Sequence, residues 1–331
     1  MPLLSIIIPC YNAAKYIDNC FQSLENQTIG IKNLEIIFVN DASTDNTLKH
    51  LMDFEQKHPE NVLVVNCEKN GRQGAARNIG LSYATSEYIG FADDDDAFEP
   101  EMYEDLYEKA ISYDCDMVMC DSDTITGSDS LQQSQTEIPA NDSSETDELY
   151  EIATPEERIA FITMDPVRCI WNKIYRKSIL TTNNIYFPEG YIYDDIYFYE
   201  LVKLYVKRIY KRKCVYYHHI FRQSSASIDI KQKNEMPGYL DVQLMLLDEL
   251  KKRGFYDLYK NSYNEMLLLE AIGLVKTYLI RYGKIEDTLL LDVKNKLIPY
   301  RDDFLNNPLL QSIWHTGMVD IDRKIAKTLI L

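Results

Sequence analysis

Apolar and polar positions along this chain fall into two regimes. In the first, runs of strand length recur: LLSIIIP (3–9), LEIIFVN (34–40), NVLVVN (61–66), EYIGFA (87–92) and CDMVMC (115–120). They are rich in Ile and Val and do not alternate with polar residues, which predicts strands covered on both faces. Stretches of helical character separate them, at 13–27, 44–57, 73–84 and 100–113. In the last of these, Pro100 suits a first turn, Glu99, Glu101 and Glu104 complement the helix dipole, and Met102, Leu106 and Ala110 share one face. Strand alternating with helix predicts an α/β fold built on a doubly wound, mostly parallel sheet.

From residue 236 onward helical periodicity takes over, as in YLDVQLMLLDELKKRGF and LLLDVKNKLI. The expected division is a domain over 1–235 and a helical subdomain over 236–331. Within the first, 122–150 turns polar and acidic and reads as a variable surface insertion.

Composition narrows the class. With 331 residues and 46% hydrophobic content, the chain can bury a large core. No window reaches the ~18–20 uncharged apolar residues of a membrane span. The nearest, MLLLEAIGLVKTYLI from Met266, is interrupted by Glu270 and Lys276. The N-terminal MPLLSIIIPCYN lacks a basic region ahead of its apolar run, so no secretory signal is expected, and the expected location is the cytoplasm or the inner face of the membrane. Seven cysteines without a CxxC pair point to reduced core thiols. A net charge of −17 argues against nucleic acid and against a broad basic face for anionic lipid.

Polar residues follow the apolar runs: CYN after the first, DASTD after the second, DDDD after the fourth and DSD after the fifth. Ligands of open α/β sheets bind beyond the carboxyl ends of the strands, so these residues converge on one edge. The crowding in GFADDDDAFEP (90–100) needs an explanation, because Asp93, Asp94, Asp95 and Asp96 repel one another beside an apolar strand. Asp93 and Asp95 point the same way if the backbone stays extended, and hard carboxylate oxygens suit Mg²⁺ or Mn²⁺, with a diphosphate as the remaining ligand. The alternative is an acidic solvated turn that caps the helix at Pro100. Asp96 by itself reads as a structural carboxylate.

Taken in order, SIIIPCYN (5–12), IIFVNDASTDNT (36–47), GRQGAARNIGL (71–81), GFADDDDAFEP, WNKIYRKSIL (171–180) and FPEGYIYDDIYF (187–198) resemble the glycosyltransferases of family 2. The resemblance spans residues 3–227 and implies the GT-A fold, which binds nucleotide-diphospho-sugars. It implies that Pro9, Tyr11 and Asn12 line the base and ribose, and that Asp41 accepts a hydrogen bond from the base, commonly uracil. Asn40 stands where many members carry another aspartate. Arg77 would reach the base or diphosphate, Asp93 the ribose or metal, Asp94 would lie alongside, and Asp95 would be the principal metal ligand. The pair Asp194 and Asp195 corresponds to the family's Glu-Asp element, with Asp195 as general base and Asp194 in place of the usual Glu. In YYHHIFRQSSAS (216–227), His218 or His219 would be an extra metal ligand and Arg222 a diphosphate clamp.

Bland readings stand beside several of these. Trp171 is an acceptor platform or a core aromatic, Lys173 an orienting charge or a plain surface one, and Asn172 lies in the same stretch. The implied activity is inverting, metal-dependent sugar transfer from a nucleotide donor, a UDP-sugar first, to a saccharide or lipid-linked glycan in surface polysaccharide synthesis. A non-catalytic nucleotide-sugar-binding or assembly module is the alternative. Phosphoryl transfer is a third, and it lacks the acid it needs after the first strand, where the sequence reads IIIPCYN.

Overall fold

The computed structural model describes residues 2–126, 146–164, 168–221, 238–311 and 320–330. Two compact units divide the chain, one formed by Met1–Thr154 with Val167–Ser225, the other by Pro155–Pro166 with Ala226–Leu331.

The first unit is built on β1 (Leu4–Cys10), β2 (Leu34–Asn40), β3 (Val62–Asn66), β4 (Tyr88–Phe91), β5 (Ala97–Phe98), β6 (Met117–Thr126), β7 (Glu148–Glu151), β8 (Lys173–Arg176) and β9 (Arg208–Phe221). Their order in the sheet is β3-β2-β1-β4-β8-β6-β9-β5, and β7 pairs with β9. The β3-β2-β1-β4 half is parallel, as the apolar runs predict, with Leu4 opposite Leu34 and Cys10 opposite Asn40. Every residue of β1 is buried, which is the environment an unbroken LSIIIPC run requires. Helices α1 (Ile17–Glu25), α2 (Thr47–Lys57), α3 (Arg72–Tyr83) and α4 (Met102–Ser112) fall within a few residues of the four helical stretches. On one face Phe21, Phe38 and Phe54 pack ring against ring, with Phe21 and Phe54 stacked at 4.1 Å.

Beyond β4 the mostly parallel sheet becomes mixed. β8 lies antiparallel between β4 and β6, while β9 runs parallel to β6 and antiparallel to β5 and β7. The reason lies in KIYR, a strand with a charge at each end and no Ile/Val run to announce it. Lys173 is fully buried: its Nζ donates to the Cys169 carbonyl at 2.9 Å and to Asn172 Oδ1 at 2.6 Å, and lies 4.5 Å from the centre of the Tyr199 ring. Reading Lys173 as a plain surface charge is therefore corrected.

The second unit is helical. It comprises α5 (Pro155–Met164) and the helices Gly238–Arg253, Tyr256–Tyr282, Asp287–Leu297, Arg301–Asn306 and Asp320–Ile330. The longest ends on Gly283, whose φ of 70° places it in the left-handed region that stops helices, and whose N–H returns to the Leu279 carbonyl at 3.0 Å. No helix among the described residues is long and apolar enough to cross a membrane. All seven cysteines are free thiols, five of them buried.

α3 approaches β1 closely enough that a Cβ at Gly80 would lie 2.4 Å from Ile7 Cγ2. Gly80→Val should therefore lower unfolding stability by about 1–3 kcal/mol through overpacking. Urea titration checks this, and an unchanged midpoint would contradict such close packing of helix on strand.

Candidate active site

The strand ends that carry polar residues open on one edge, as parallel pairing of β1 with β2 and β4 demands. Four residues there take positive φ although none is glycine: Asn12 at 54°, Ala42 at 56°, Arg72 at the start of α3 at 68° and Tyr193 ahead of Asp194 at 66°. Such conformations cost about 1–3 kcal/mol each and persist only where surrounding contacts hold them.

On the β1/β2 side, Asn12 Oδ1 accepts the Thr44 N–H at 2.8 Å, and the Asn12 N–H donates to Ser43 Oγ at 3.0 Å. The two loops are thus latched together. Asp41 is buried, and its Oδ1 accepts the Gly71 N–H at 2.8 Å, joining the β2 end to the start of α3. Burial raises its pKa. Tyr11 exposes half of its surface, and its N–H donates to Asp94 Oδ2 at 3.2 Å. Pro9 is buried within β1 opposite Val39.

The four aspartates do not share one fate. Asp93 donates its N–H to the Tyr217 hydroxyl at 3.0 Å, and its Oδ1 accepts from Arg77 at 3.0 Å. Burial pushes Asp93 upward in pKa against the pull of Arg77, while burial and the charges of Asp95 and Asp93 push Asp94 well up. Asp95 lies beside them, half-buried. Asp96 is completely buried and accepts the Ile220 N–H at 2.8 Å and His219 Nδ1 at 3.2 Å.

His218 and His219 separate in role. His218 sits between Asp123 Oδ1, 2.7 Å from Nδ1, and Glu99 Oε1, 2.9 Å from Nε2, so both ring nitrogens are engaged within the fold. His219 meets Asp96 through Nδ1, which directs the ring's second nitrogen elsewhere. Trp171 stacks on Tyr217 at 4.2 Å and on His219 at 5.9 Å, and packs against the core; Asn172 is buried and donates to the Cys120 carbonyl at 2.6 Å.

Later in the chain, α6 (Lys177–Thr182) precedes a segment that leads into α7 (Asp194–Tyr205). Tyr193 in the left-handed conformation turns the chain so that Asp194 and Asp195 form the first helical turn, where the dipole favours carboxylates. Asp194 is buried and ion-paired to Arg77 at 2.7 Å. Asp195 is half-buried, bonded to its neighbour's N–H at Ile196 at 3.0 Å, and pushed up to about 7 by burial and by the charge of Asp194, with Arg77 pulling the other way.

Arg77, expected to reach a base or diphosphate, is enclosed by carboxylates. It is 3% exposed, and its two Nη groups are given to Asp194 and Asp93. Both acids raise its pKa above the ordinary value despite its burial, Asp194 more than Asp93. Arg222 lies outside the described residues, as do 127–145 of the polar insertion. Sequence reasoning passed over Tyr217, Asp123 and Phe187; the apolar and aromatic positions of CVYYHHIF carry the signal for a strand that would have placed Tyr217.

Among the described residues no group of three or more His, Cys, Asp or Glu side chains is arranged to hold a metal by itself. The acidic run nevertheless fits a small hard cation, which takes one or two carboxylates and completes its shell with phosphate and water. Its mutual repulsion is what a dication would relieve. His219 is held by Asp96 at Nδ1, as histidine ligands commonly are by a carboxylate at the other ring nitrogen.

Residues 5–182 match the family described as Glycosyl transferase family 2. The chain is 33% identical over 197 residues to the uncharacterized glycosyltransferase YibD of Escherichia coli K12, a match covering 58% of this chain and 54% of that protein's length. It is 25% identical over 335 residues to the putative glycosyltransferase EpsH of Bacillus subtilis 168, covering 90% of this chain and 93% of EpsH. The fold is similar to that of S. aureus TarS 1-349 in complex with UDP-GlcNAc, with a TM-score of 0.69 at 23% identity, covering 98% of this chain and 91% of that one.

Asp195 has a consequence for stability. Between its ordinary value of 3.8 and about 7, the folded chain keeps a proton that the unfolded chain has released, so stability falls as pH rises through this window. Asp195→Asn removes that cost, and its thermal midpoint should gain on the wild type as pH goes from 5 to 8. A difference independent of pH would show that Asp195 titrates normally.

Proposed function

This chain belongs to glycosyltransferase family 2, and on that premise we propose that it transfers a sugar, with inversion, from a UDP-sugar to a saccharide or lipid-linked glycan in surface polysaccharide synthesis. One observation carries the reading: Asp41 and the Asp93–Asp95 run follow β2 and β4, the parallel strands on either side of β1, and Arg77 ties Asp93 to Asp194, neighbour of Asp195. TarS supports the donor class, since its fold is shared and its complex holds UDP-GlcNAc. A polymeric acceptor bearing hydroxyl groups is supported by TarS of S. aureus Mu50, a poly(ribitol-phosphate) beta-N-acetylglucosaminyltransferase.

In this reading the nucleoside lies along Tyr11 and Asn12 with its base toward Asp41, whose carboxylate accepts an N–H from it. Pro9 shapes the floor from within β1. Asp93 and Asp95, with His219, would hold Mn²⁺ or Mg²⁺. When bound, the ion supplies positive charge to the two phosphates as the glycosidic bond breaks. No protein acid is then needed on the leaving side.

Asp195 serves as the base. It takes the proton of the acceptor hydroxyl while that oxygen bonds to the anomeric carbon; the bond from that carbon to the phosphate oxygen breaks, and its electron pair leaves with the nucleoside diphosphate. A carboxylate near 7 is well matched to this task, because it is ionised near neutral pH yet basic enough to receive the proton. Asp194, committed to Arg77, stands behind it.

A screen of UDP- and GDP-sugars with and without Mn²⁺ tests the reading. A bound donor raises apparent stability, by about 2.7 kcal/mol at a hundred times Kd. Stabilisation by a UDP-sugar that needs the metal is expected, and none with any nucleotide would end the proposal. Asp95→Asn should weaken Mn²⁺-dependent UDP binding in titration calorimetry, and unchanged affinity would remove Asp95 from the ligands. Asp195→Asn should leave UDP affinity near wild type while turnover drops by about 10²–10⁴. Full turnover would place the base elsewhere.

A further inference from the structure

We infer that Arg77 is a positioning residue, which grips Asp93 with one arm of its guanidinium and Asp194 with the other and so fixes the first turn of α7 relative to the donor-holding strand end. The inference rests on the reading of Asp195 as the base. Three pieces of backbone meet at this side chain: α3, which carries it, the β4 end and the start of α7. Its distances of 3.0 Å to Asp93 and 2.7 Å to Asp194 are those of charge-assisted hydrogen bonds.

The surroundings hold α3 where this grip is possible. One turn before Arg77, a Cβ at Gly74 would fall 2.6 Å from the Pro188 carbonyl oxygen and 3.2 Å from Asp194 Cβ, so the helix rests directly on the segment leading to α7. One residue after it, Asn78 Nδ2 donates to the Phe187 carbonyl and Asn78 Oδ1 accepts the Phe187 N–H, both at 2.9 Å. The guanidinium lies 5.5 Å from the Phe187 ring centre, and that ring stacks at 4.0 Å on Phe198 of α7. With both Nη groups committed and the side chain buried, Arg77 keeps only its buried Nε without a partner. Lysine could supply the charge but not the fork that spans two carboxylates.

The charged groups facing Asp195 are Asp194 beside it, Arg77 from α3 and Asp93 from the β4 end. Removing Arg77 leaves three carboxylates facing one another, so the Asp195 midpoint should move to higher pH and the first turn of α7 should lose its anchor. A displacement of about 1 Å in a reacting group costs on the order of a hundredfold in rate.

The test compares Arg77→Gln and Arg77→Lys in the full chain. Carboxylate NMR titration of the ligand-free protein should show the Asp195 midpoint raised in Arg77→Gln and largely restored in Arg77→Lys. With Mn²⁺ present, UDP affinity should stay near wild type in both, while kcat for UDP-GlcNAc hydrolysis falls by about a hundredfold in Arg77→Gln and less in Arg77→Lys. Loss of UDP affinity with an unmoved Asp195 midpoint would overturn the inference and make Arg77 a donor ligand. Should Arg77→Gln fail to fold, Asp194→Asn keeps the cation and weakens one arm; a fall in kcat at unchanged UDP affinity is expected, and unchanged kcat overturns the inference. The titration needs no nucleotide, so failure of wild-type protein to bind UDP would end the donor reading while the Arg77 result stood or fell separately.

Discussion

A guanidinium enclosed by carboxylates, Arg77 among Asp93, Asp194 and Asp195, is the constraint on which the candidate site depends. Breaking a buried ion pair from one side costs about 3–5 kcal/mol, because the abandoned charge stays desolvated. The bond pattern therefore ties together backbone that the chain order keeps apart, α3, the β4 end and the start of α7. Glycine at 74 permits the approach, Asn78 clamps the neighbouring segment, and the left-handed turn at Tyr193 delivers Asp194 to the cation. Each of these features would be costly or idle without the others.

The same corner shows how one acidic run can serve several ends. Asp96 is turned inward to hold His219 and the Ile220 N–H, Asp93 is half-neutralised by Arg77, and Asp94 accepts from Tyr11. Asp95 stands half-buried beside them. Charge crowding that looks prohibitive in sequence is thus partly settled by the protein itself, and a dication would have to relieve only the remainder.

Much of this was readable beforehand, for identifiable reasons. β1 to β4 and α1 to α4 announce themselves because burial on both faces demands unbroken Ile/Val runs and because helices between parallel strands show one apolar face. β8 and β9 did not, since antiparallel insertion between distant strands is a matter of long-range pairing, and KIYR hides a buried lysine solvated by a carbonyl, an amide oxygen and an aromatic ring. Residue types at the strand ends pointed to the carboxyl edge of the parallel strands, where parallel pairing does bring them together. They did not show that Arg77 faces carboxylates, because the direction of a long side chain depends on what packs around it, and Gly74 and Phe187 carry no charge pattern to read.

Anomalous diffraction at the manganese edge, from crystals grown with UDP and Mn²⁺, tests the account at its centre. One peak is predicted between the Asp95 carboxylate and the diphosphate, with Arg77 still bonded to Asp93 and Asp194. Nucleotide bound away from this edge, or Arg77 released from both acids to contact the base, would contradict it.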